Sequence, residues 1–549
     1  MKKRILLLLL LVSTSTLQAQ NLVTDLRPGM DGSEPVLDNA FQRGNDLFFL
    51  ANPDGLGNRL YKSDGTSSNT VLLEGGTNLM LSMILGIMNN EIYYIAGDFL
   101  GGESFKLYKT NGTPGAGTLV SDFHQGTDFF ITYPMTINMN DVLYFIGNDG
   151  VTGFELWRTD GTGAGTYLVK DINPGIESCL LLTNAKQYFT QLNGFIYFGA
   201  AEPVNGAELW KSDGTEAGTT MVANIDPTVP SIPNMGSNPA FFCTYNNAVY
   251  FSAYRTIDGR ELWKTDGTAS GTVLVKDIAA GDGAPSGLIV HNGMLYFSAY
   301  HPNENYTLYK SNGTAVGTTV VKAPAAGGPT TNSDAKFHIF KGKLFFEATS
   351  NDGFYRIWYS DGSAAGTASL PSSPTVFTDY PSSLLATTNY LYFLSGDSNN
   401  PGVYRTTEVP NQMTRLTDVS FTANVFQPIF LVNNCLVVRG DNGTTGDELY
   451  TVCNQNTDPL AIDETLLLNL EVFPNPFSET IFIHIDTEEL LTDNIYLTGL
   501  DGKVMNCSYV IKDPSTLEIS GLEQLSSGLY FLTVQLRNKQ VYQIKLTKK

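Results

Sequence analysis

The sequence predicts an all-β protein: a β-propeller of four-stranded blades, about nine and closed by the N-terminal strand, followed by a small Ig-like β-sandwich. Three observations predict it. An aliphatic–aromatic pair recurs nine times, its first residue at 60, 107, 156, 209, 262, 308, 357, 403 and 449, so the copies lie 46 to 53 residues apart. A period near fifty residues marks a repeat architecture. The pair usually runs into a Thr/Ser-Asp-Gly turn, most fully as ELWRTDGT (155–162), ELWKSDGT (208–215) and ELWKTDGT (261–268). Charged residues are only 16% of the chain, while 53 Gly, 27 Tyr and 31 Phe supply turns and strand formers. That balance fits a β-rich globular protein with many tight turns.

Residues 1–19 read as a signal peptide. Lys2, Lys3 and Arg4 precede the apolar run 5–12, and Leu17-Gln18-Ala19 offers a small residue for cleavage before Gln20. The run is too short to cross a bilayer, so export is expected and a membrane span is not. Without those three basic residues the chain keeps 30 basic against 54 acidic residues, a net of −24. Such a surface repels nucleic acid and anionic lipid.

Residues 20–453 carry the repeat. In the sample unit 287–325, an apolar run leads into Asn292-Gly293 and then MLYFSAY. Asn-Gly between β-favouring runs predicts a type I′ hairpin, because both positions tolerate positive φ. Related turns stand at Asn193-Gly194, Asn246-Asn247, Lys341-Gly342 and Asn433-Asn434. The Leu-aromatic strand, the Asp-Gly-Thr-x-x-Gly-Thr turn and a strand such as TVLVKDI (272–278) complete four antiparallel strands. Strands apolar on both faces suit sheets stacked between neighbours, as in a propeller. A parallel β-helix is the alternative, but its coils repeat at shorter periods without two-residue hairpins. The last copy, 431–453, lacks its fourth strand, and NLVTDLRPG (21–29) resembles YLVKDINPG (167–175). The N-terminal segment is therefore expected to complete the last blade and remove two open sheet edges.

Five cysteines are too few for a disulfide scaffold. Cys435 and Cys453 nevertheless lie equidistant from the centre of a hairpin at Thr444. That symmetry would set them opposite one another on antiparallel strands, as a possible disulfide in an oxidising compartment.

Residues 454–465 read as a linker, and 466–549 as a sorting β-sandwich of about seven strands with alternating patterns. Phe473-Pro474-Asn475-Pro476, then Gly502-Lys503-Val504, then Gly528-Leu529-Tyr530-Phe531 and a basic terminus, resemble the C-terminal (type A) sorting domain of type IX secretion cargo. That family usually has Tyr where Phe473 stands. The resemblance implies export across the inner membrane, with the type IX secretion machinery as partner through Pro474, Asn475, Pro476, Gly502, Lys503, Gly528 and Tyr530. It implies removal of the domain on arrival and a passenger released or held at the outer surface of a Gram-negative bacterium. The nine-fold motif resembles the ELWxxDGT repeat of secreted bacterial proteins, which implies architecture only.

No catalytic residue, metal ligand or cofactor is expected. The turn aspartates Asp64, Asp160, Asp213, Asp266 and Asp361 lack the alternating acidic run of a calcium loop, and Asp before Gly commonly satisfies turn amides. Glu155, Glu208, Glu261 and Glu448 recur before the Leu-aromatic pair. Repetition argues against catalysis, and pairing with nearby Lys or Arg is expected. Trp157, Trp210, Trp263 and Trp358 offer either a core or a sugar-stacking surface, with core expected. His124, His291, His301, His338 and His484 form no metalloprotease pattern, and no nucleophile-elbow or phosphate-loop motif is present. Localised function is expected in the connections that break the repeat, 123–134, 172–186 and 226–239. The expected activity is non-enzymatic binding or adhesion to an extracellular glycan or protein. The alternatives are a carbohydrate-active hydrolase or lyase on the same scaffold, and a structural surface component.

Overall fold

The computed structural model describes residues 20–29, 31–75, 80–97, 105–122, 135–179, 188–228, 236–302, 305–333, 335–370, 381–395, 402–407, 413–416, 427–453, 471–473, 477–484, 492–499, 504–506, 509–513, 516–536 and 541–548. The signal peptide and the linker of the sequence reading lie outside them. The chain divides into two compact units, Met1–Leu460 and Ala461–Lys549.

The first unit is a nine-bladed β-propeller of four-stranded antiparallel sheets. Blades 1 to 8 are contiguous meanders at 36–74, 80–121, 136–170, 190–223, 240–276, 286–320, 337–369 and 381–415. The ninth sheet has Phe430–Val432, Cys435–Gly440 and Glu448–Cys453, and its fourth strand is Gln20–Thr24, antiparallel to Glu448–Cys453. First strands of neighbouring blades touch, which sets them innermost. The second and third strands are almost wholly buried, as in Phe195–Glu202 and Gly206–Ser212, because blades cover them on both faces.

Five blades begin with the hairpin the sequence specified. Asn292 and Gly293 have φ of 47° and 71°, and Asn193-Gly194, Asn246-Asn247, Lys341-Gly342 and Asn433-Asn434 are likewise left-handed at both positions. A two-residue turn of this hand matches the twist of the strands it joins. Cys435 pairs with Cys453 in register, and the two sulfurs are bonded. This bond ties the second and third strands of blade 9 where the chain leaves the repeat.

The second unit holds two four-stranded antiparallel sheets. Its described residues form eight strands, against about seven expected from sequence. Ile481, Ile483, Leu517 and Ile519 of one sheet and Leu497, Leu532 and Leu546 of the other are fully buried.

Candidate functional site

A meander blade presents two ends to solvent. The Asn-Gly hairpins and Asp-Gly-Thr turns share one rim. The hairpins between second and third strands share the other with the connections to the next blade. The two rims differ chemically.

The turn rim is built by the motif itself. In blade 5, Asp266 Oδ1 accepts the Thr268 amide at 2.9 Å and its hydroxyl at 2.7 Å. The same pair of bonds recurs at Asp64, Asp160, Asp213, Asn312 and, with Ser363, at Asp361. Hydrogen bonds from the following hydroxyl and amide hold Asp160, Asp266 and Asp361 below the usual carboxylate range. These aspartates are turn-formers, in the manner of Asx turns. Their neighbours do parallel work. Thr265 Oγ1 meets Thr272 Oγ1 at 2.8 Å across the turn, as Ser212 meets Thr219 and Ser360 meets Thr367 at 2.7 Å. The basic residue after the aromatic reaches the next blade: Lys211 Nζ donates to Gly267 O, Lys264 Nζ to Gly313 O and Lys310 Nζ to Gly362 O, at 2.8–3.0 Å.

The recurrent glutamates correct the sequence reading. Glu155, Glu208, Glu261 and Glu448 are fully buried and serve backbone amides, where pairing with Lys or Arg was expected. Glu208 accepts from Ile225 N at 2.8 Å, Ser237 N at 3.2 Å and Ser237 Oγ at 2.6 Å. Glu261 accepts from Ile278 N and Gly283 N, both at 2.8 Å. Glu155 accepts from Ile172 N and Asn173 N, and Glu448 from Arg27 N, Ser33 N and Ser33 Oγ. Each carboxylate thus holds the start of the connection into the next blade, satisfying amides that loop backbone would leave orphaned. Burial pushes Glu155 up to about 8 and Glu261 up to about 7, against their amide donors. Trp157, Trp210, Trp263 and Trp358 are 4–7% exposed, which places them in the core and not on a sugar-stacking surface.

The opposite rim carries side chains the fold does not explain. Leu56, Val151, Val204, Ile257 and Phe354 are exposed at the tips of the hairpins between second and third strands of blades 1, 3, 4, 5 and 7. In four of them a carboxylate two residues earlier accepts the apolar residue's own amide: Asp54 for Leu56 at 2.9 Å, Asp149 for Val151 at 2.8 Å, Glu202 for Val204 at 3.0 Å and Asp352 for Phe354 at 3.2 Å. The apolar side chain is held outward by a fixed turn. Blade 9 makes the same kind of turn with Gly443 and Thr444.

Blades 3 to 5 concentrate this feature. Val151, Ile176, Val204 and Ile257 are 68%, 77%, 71% and 81% exposed. The connection bearing Ile176 packs on the blade 3 hairpin, with Ser178 Oγ accepting Phe154 N and Cys179 N donating to Phe154 O, both at 3.1 Å. A cleft of 840 Å³ opens between blades 4 and 5, running from Ile225, Pro227 and Ile257 at the hairpin rim past Trp263 to Ala269 and Thr272 of the turn rim. Asp226 lines it and is buried: Oδ1 accepts from Thr228, and Oδ2 accepts the Thr256 amide and hydroxyl at 2.6 Å. Burial pushes Asp226 up, but these bonds outweigh it and hold the group below its ordinary value. Arg255 is paired to Asp258 and lies 5.1 Å over the Trp263 ring.

Of the connections expected to carry function, 123–134 lies outside the described residues, as do 180–186 and 229–235; the remainder of each other connection lies on this rim. The hairpin tips were missed by sequence reasoning, although an acid two residues before an apolar residue, a few positions ahead of the Leu-aromatic pair, was a readable signal. No group of three or more His, Cys, Asp or Glu suited to a metal occurs among the described residues. In the second unit, Pro474, Asn475, Pro476, Gly502 and Lys503 lie outside the described residues. Gly528 opens the strand Gly528–Leu536, and Tyr530 is buried with its hydroxyl donating to Ser526 O at 2.9 Å.

Residues 471–549 match the secretion system C-terminal sorting domain. This tail marks a secreted or cell-surface protein, exported by the type IX system and engaging its machinery. No curated protein matches the chain. Among solved structures, a chain of a nidogen/laminin complex is 14% identical over 50% of this chain and 91% of its own, with a TM-score of 0.27. A puromycin-hydrolyzing peptidase of Mycobacterium tuberculosis is 12% identical over 66% of this chain and 55% of its own, at 0.35. A prolyl endopeptidase is 12% identical over 67% of this chain and 54% of its own, at 0.32. The chain thus spans about half the length of these two peptidases. Likenesses this low carry neither fold nor activity to it. No helix among the described residues is long and apolar enough to cross a membrane.

Proposed function

We propose that this protein is a non-enzymatic binding or adhesion module, displayed on or released from the outer surface of a Gram-negative bacterium, with an extracellular glycan or protein as ligand. In this reading residues 1–19 are a cleaved signal peptide and 20–453 an ELWxxDGT-type propeller whose ring the Gln20–Thr24 strand closes. Residues 454–465 are a linker, and 466–549 an Ig-like sandwich whose Pro474–Pro476, Gly502-Lys503 and Gly528–Tyr530 segments address the chain to the type IX machinery.

One observation carries the binding reading: the motif residues are consumed by blade construction, while the opposite rim holds apolar side chains outward in fixed turns. Leu56, Val151, Ile176, Val204, Ile257 and Phe354 share this rim, whereas the turn rim exposes Val316 in one blade, and apolar groups gathered on one face mark interaction sites. The test is an array of glycans and extracellular proteins probed with the exported chain and read for both retention and product release. Retention without product supports the reading. Product release, or no retention on any surface, overturns it.

A further inference from the structure

Resting on that reading, we propose that the hairpin rim of blades 3 to 5 docks a polypeptide segment that is basic and carries apolar side chains, with one apolar group entering the cleft between blades 4 and 5.

The apolar half of the recognition is preorganised. Val151, Val204 and Ile257 sit on adjacent blades, and Ile176 rides on the connection packed against the first of them. Ile257 forms part of the cleft wall on blade 5, and on blade 4 Asn205, next to Val204, accepts at 2.8 Å from Nδ2 of Asn224, which lines the cleft. Fixed loops lose little entropy on binding, so each buried side chain returns more of its transfer free energy. A central apolar pocket ringed by smaller contacts is the arrangement that concentrates binding energy in protein–protein recognition.

The polar groups of the cleft argue against a sugar. A glycan needs donors and acceptors to replace the water it gives up, because an unmatched hydroxyl is costly to bury. Here Asp226 is engaged by Thr228 and Thr256, Arg255 by Asp258, and Thr272 Oγ1 by Thr265 and Thr268. The tips themselves are aliphatic, without the flat aromatic faces on which sugars stack.

Charge sets the other half. Asp149, Glu177, Glu202 and Asp258 lie along this stretch of rim against the guanidiniums of Arg255 and Arg260, on a chain whose net charge is −21. A basic partner is steered to such a rim, while anionic lipid or nucleic acid is repelled.

The experiment selects a randomised displayed peptide library against the exported full chain, beside a polysaccharide array, and repeats both with Val204→Ser/Ile257→Ser. These exposed positions leave folding intact, and thermal unfolding verifies it. A second control, Leu72→Ser/Val273→Ser, removes apolar groups exposed outside the rim. The expected result is enrichment of peptides combining Lys or Arg with Leu, Ile or Phe. Their affinity should fall about tenfold or more in the rim variant, remain in the control, and weaken with added salt. Enriched peptides that are acidic, or that bind the rim variant equally, overturn the inference. Polysaccharide retention lost in the rim variant overturns the peptide occupant and leaves the binding function standing. Silence in both formats removes the inference and the binding reading together.

Discussion

The turn rim and the hairpin rim are made by the same strands, yet they spend their side chains differently. On the turn rim each recurring residue meets a partner in its own blade or the next. Asp266 closes its turn, Thr265 ties to Thr272, and Gly267 accepts Lys211 from the blade before. On the hairpin rim the buried carboxylates are equally regular, but the tips beyond them change from Val204 to Ile257 to Phe354 and face solvent. A residue that recurs because the blade needs it cannot also mark a single site. The place to seek function is therefore where the repeat is least obeyed and the exposed chemistry least economical.

The largest break in this comparison comes from the glutamates beneath the hairpin rim. Glu208→Leu should destabilise the propeller by about 3–5 kcal/mol, because it strands the Ile225 and Ser237 amides and the Ser237 hydroxyl in a dry site. Urea unfolding measures it, and a loss below about 1 kcal/mol would show that water replaces the carboxylate. The same groups set a pH dependence. Burial raises Glu261 from 4.5 to about 7 and Glu155 to about 8, so the folded state binds these protons more tightly than the unfolded one. Their contribution is full below the ordinary carboxylate value and is lost as pH rises through 7 to 8. The turn aspartates act oppositely: Asp160, Asp266 and Asp361 are lowered, so their contribution is present above the ordinary value and lost as pH falls. Stability should therefore peak in mildly acid solution, and Glu261→Gln should flatten the fall between pH 5 and 8. An unchanged slope in that variant would remove Glu261 as its source.

Next in size is the seam between blades on the turn rim. Gly267 has φ of 94°, and a Cβ there would collide with Tyr197 Oη of blade 4. Gly267→Ala should cost about 2 kcal/mol through left-handed strain and displacement of the tyrosine. Gly293→Ala, equally left-handed at 71° but with nothing near its Cβ, isolates the strain and should cost about 1 kcal/mol. Equal losses at the two sites would mean that the Tyr197 contact contributes nothing.

The period, blade order and hairpins were legible in the sequence because each rests on local rules. Asn292-Gly293 can form few other turns, and Thr265 and Asp266 of ELWKTDGT find their partners Thr272 and Thr268 within the same turn. The role of Glu208 was not legible. Its partner Ser237 lies 29 residues away in a connection without a fixed pattern, and no local rule pairs the two. A charged residue repeated beside lysines reads as a surface ion pair until its burial is known. The hairpin rim was hidden for the opposite reason. Val204 reads as an ordinary strand residue unless Glu202 two positions earlier is recognised as the acceptor that closes its turn, and Ile257 has no such acid to mark it. The cleft beside them joins two blades and has no signature in either.

The smallest effect sharpens the comparison most. Ile257→Ser should change stability by less than about 0.5 kcal/mol, since the side chain is 81% exposed and its removal opens no cavity. Against Glu208→Leu, a few residues deeper in the neighbouring blade, the contrast separates what the rim is built from and what it displays. If Ile257 were a strand residue left exposed by chance, its loss would alter neither stability nor association. If the rim is a docking surface, the serine variant should fold with the same midpoint and lose the partner. Chemical unfolding and binding measured on the same preparation decide the matter: a stability loss above about 1 kcal/mol would place Ile257 among the structural residues and end its role as a displayed group.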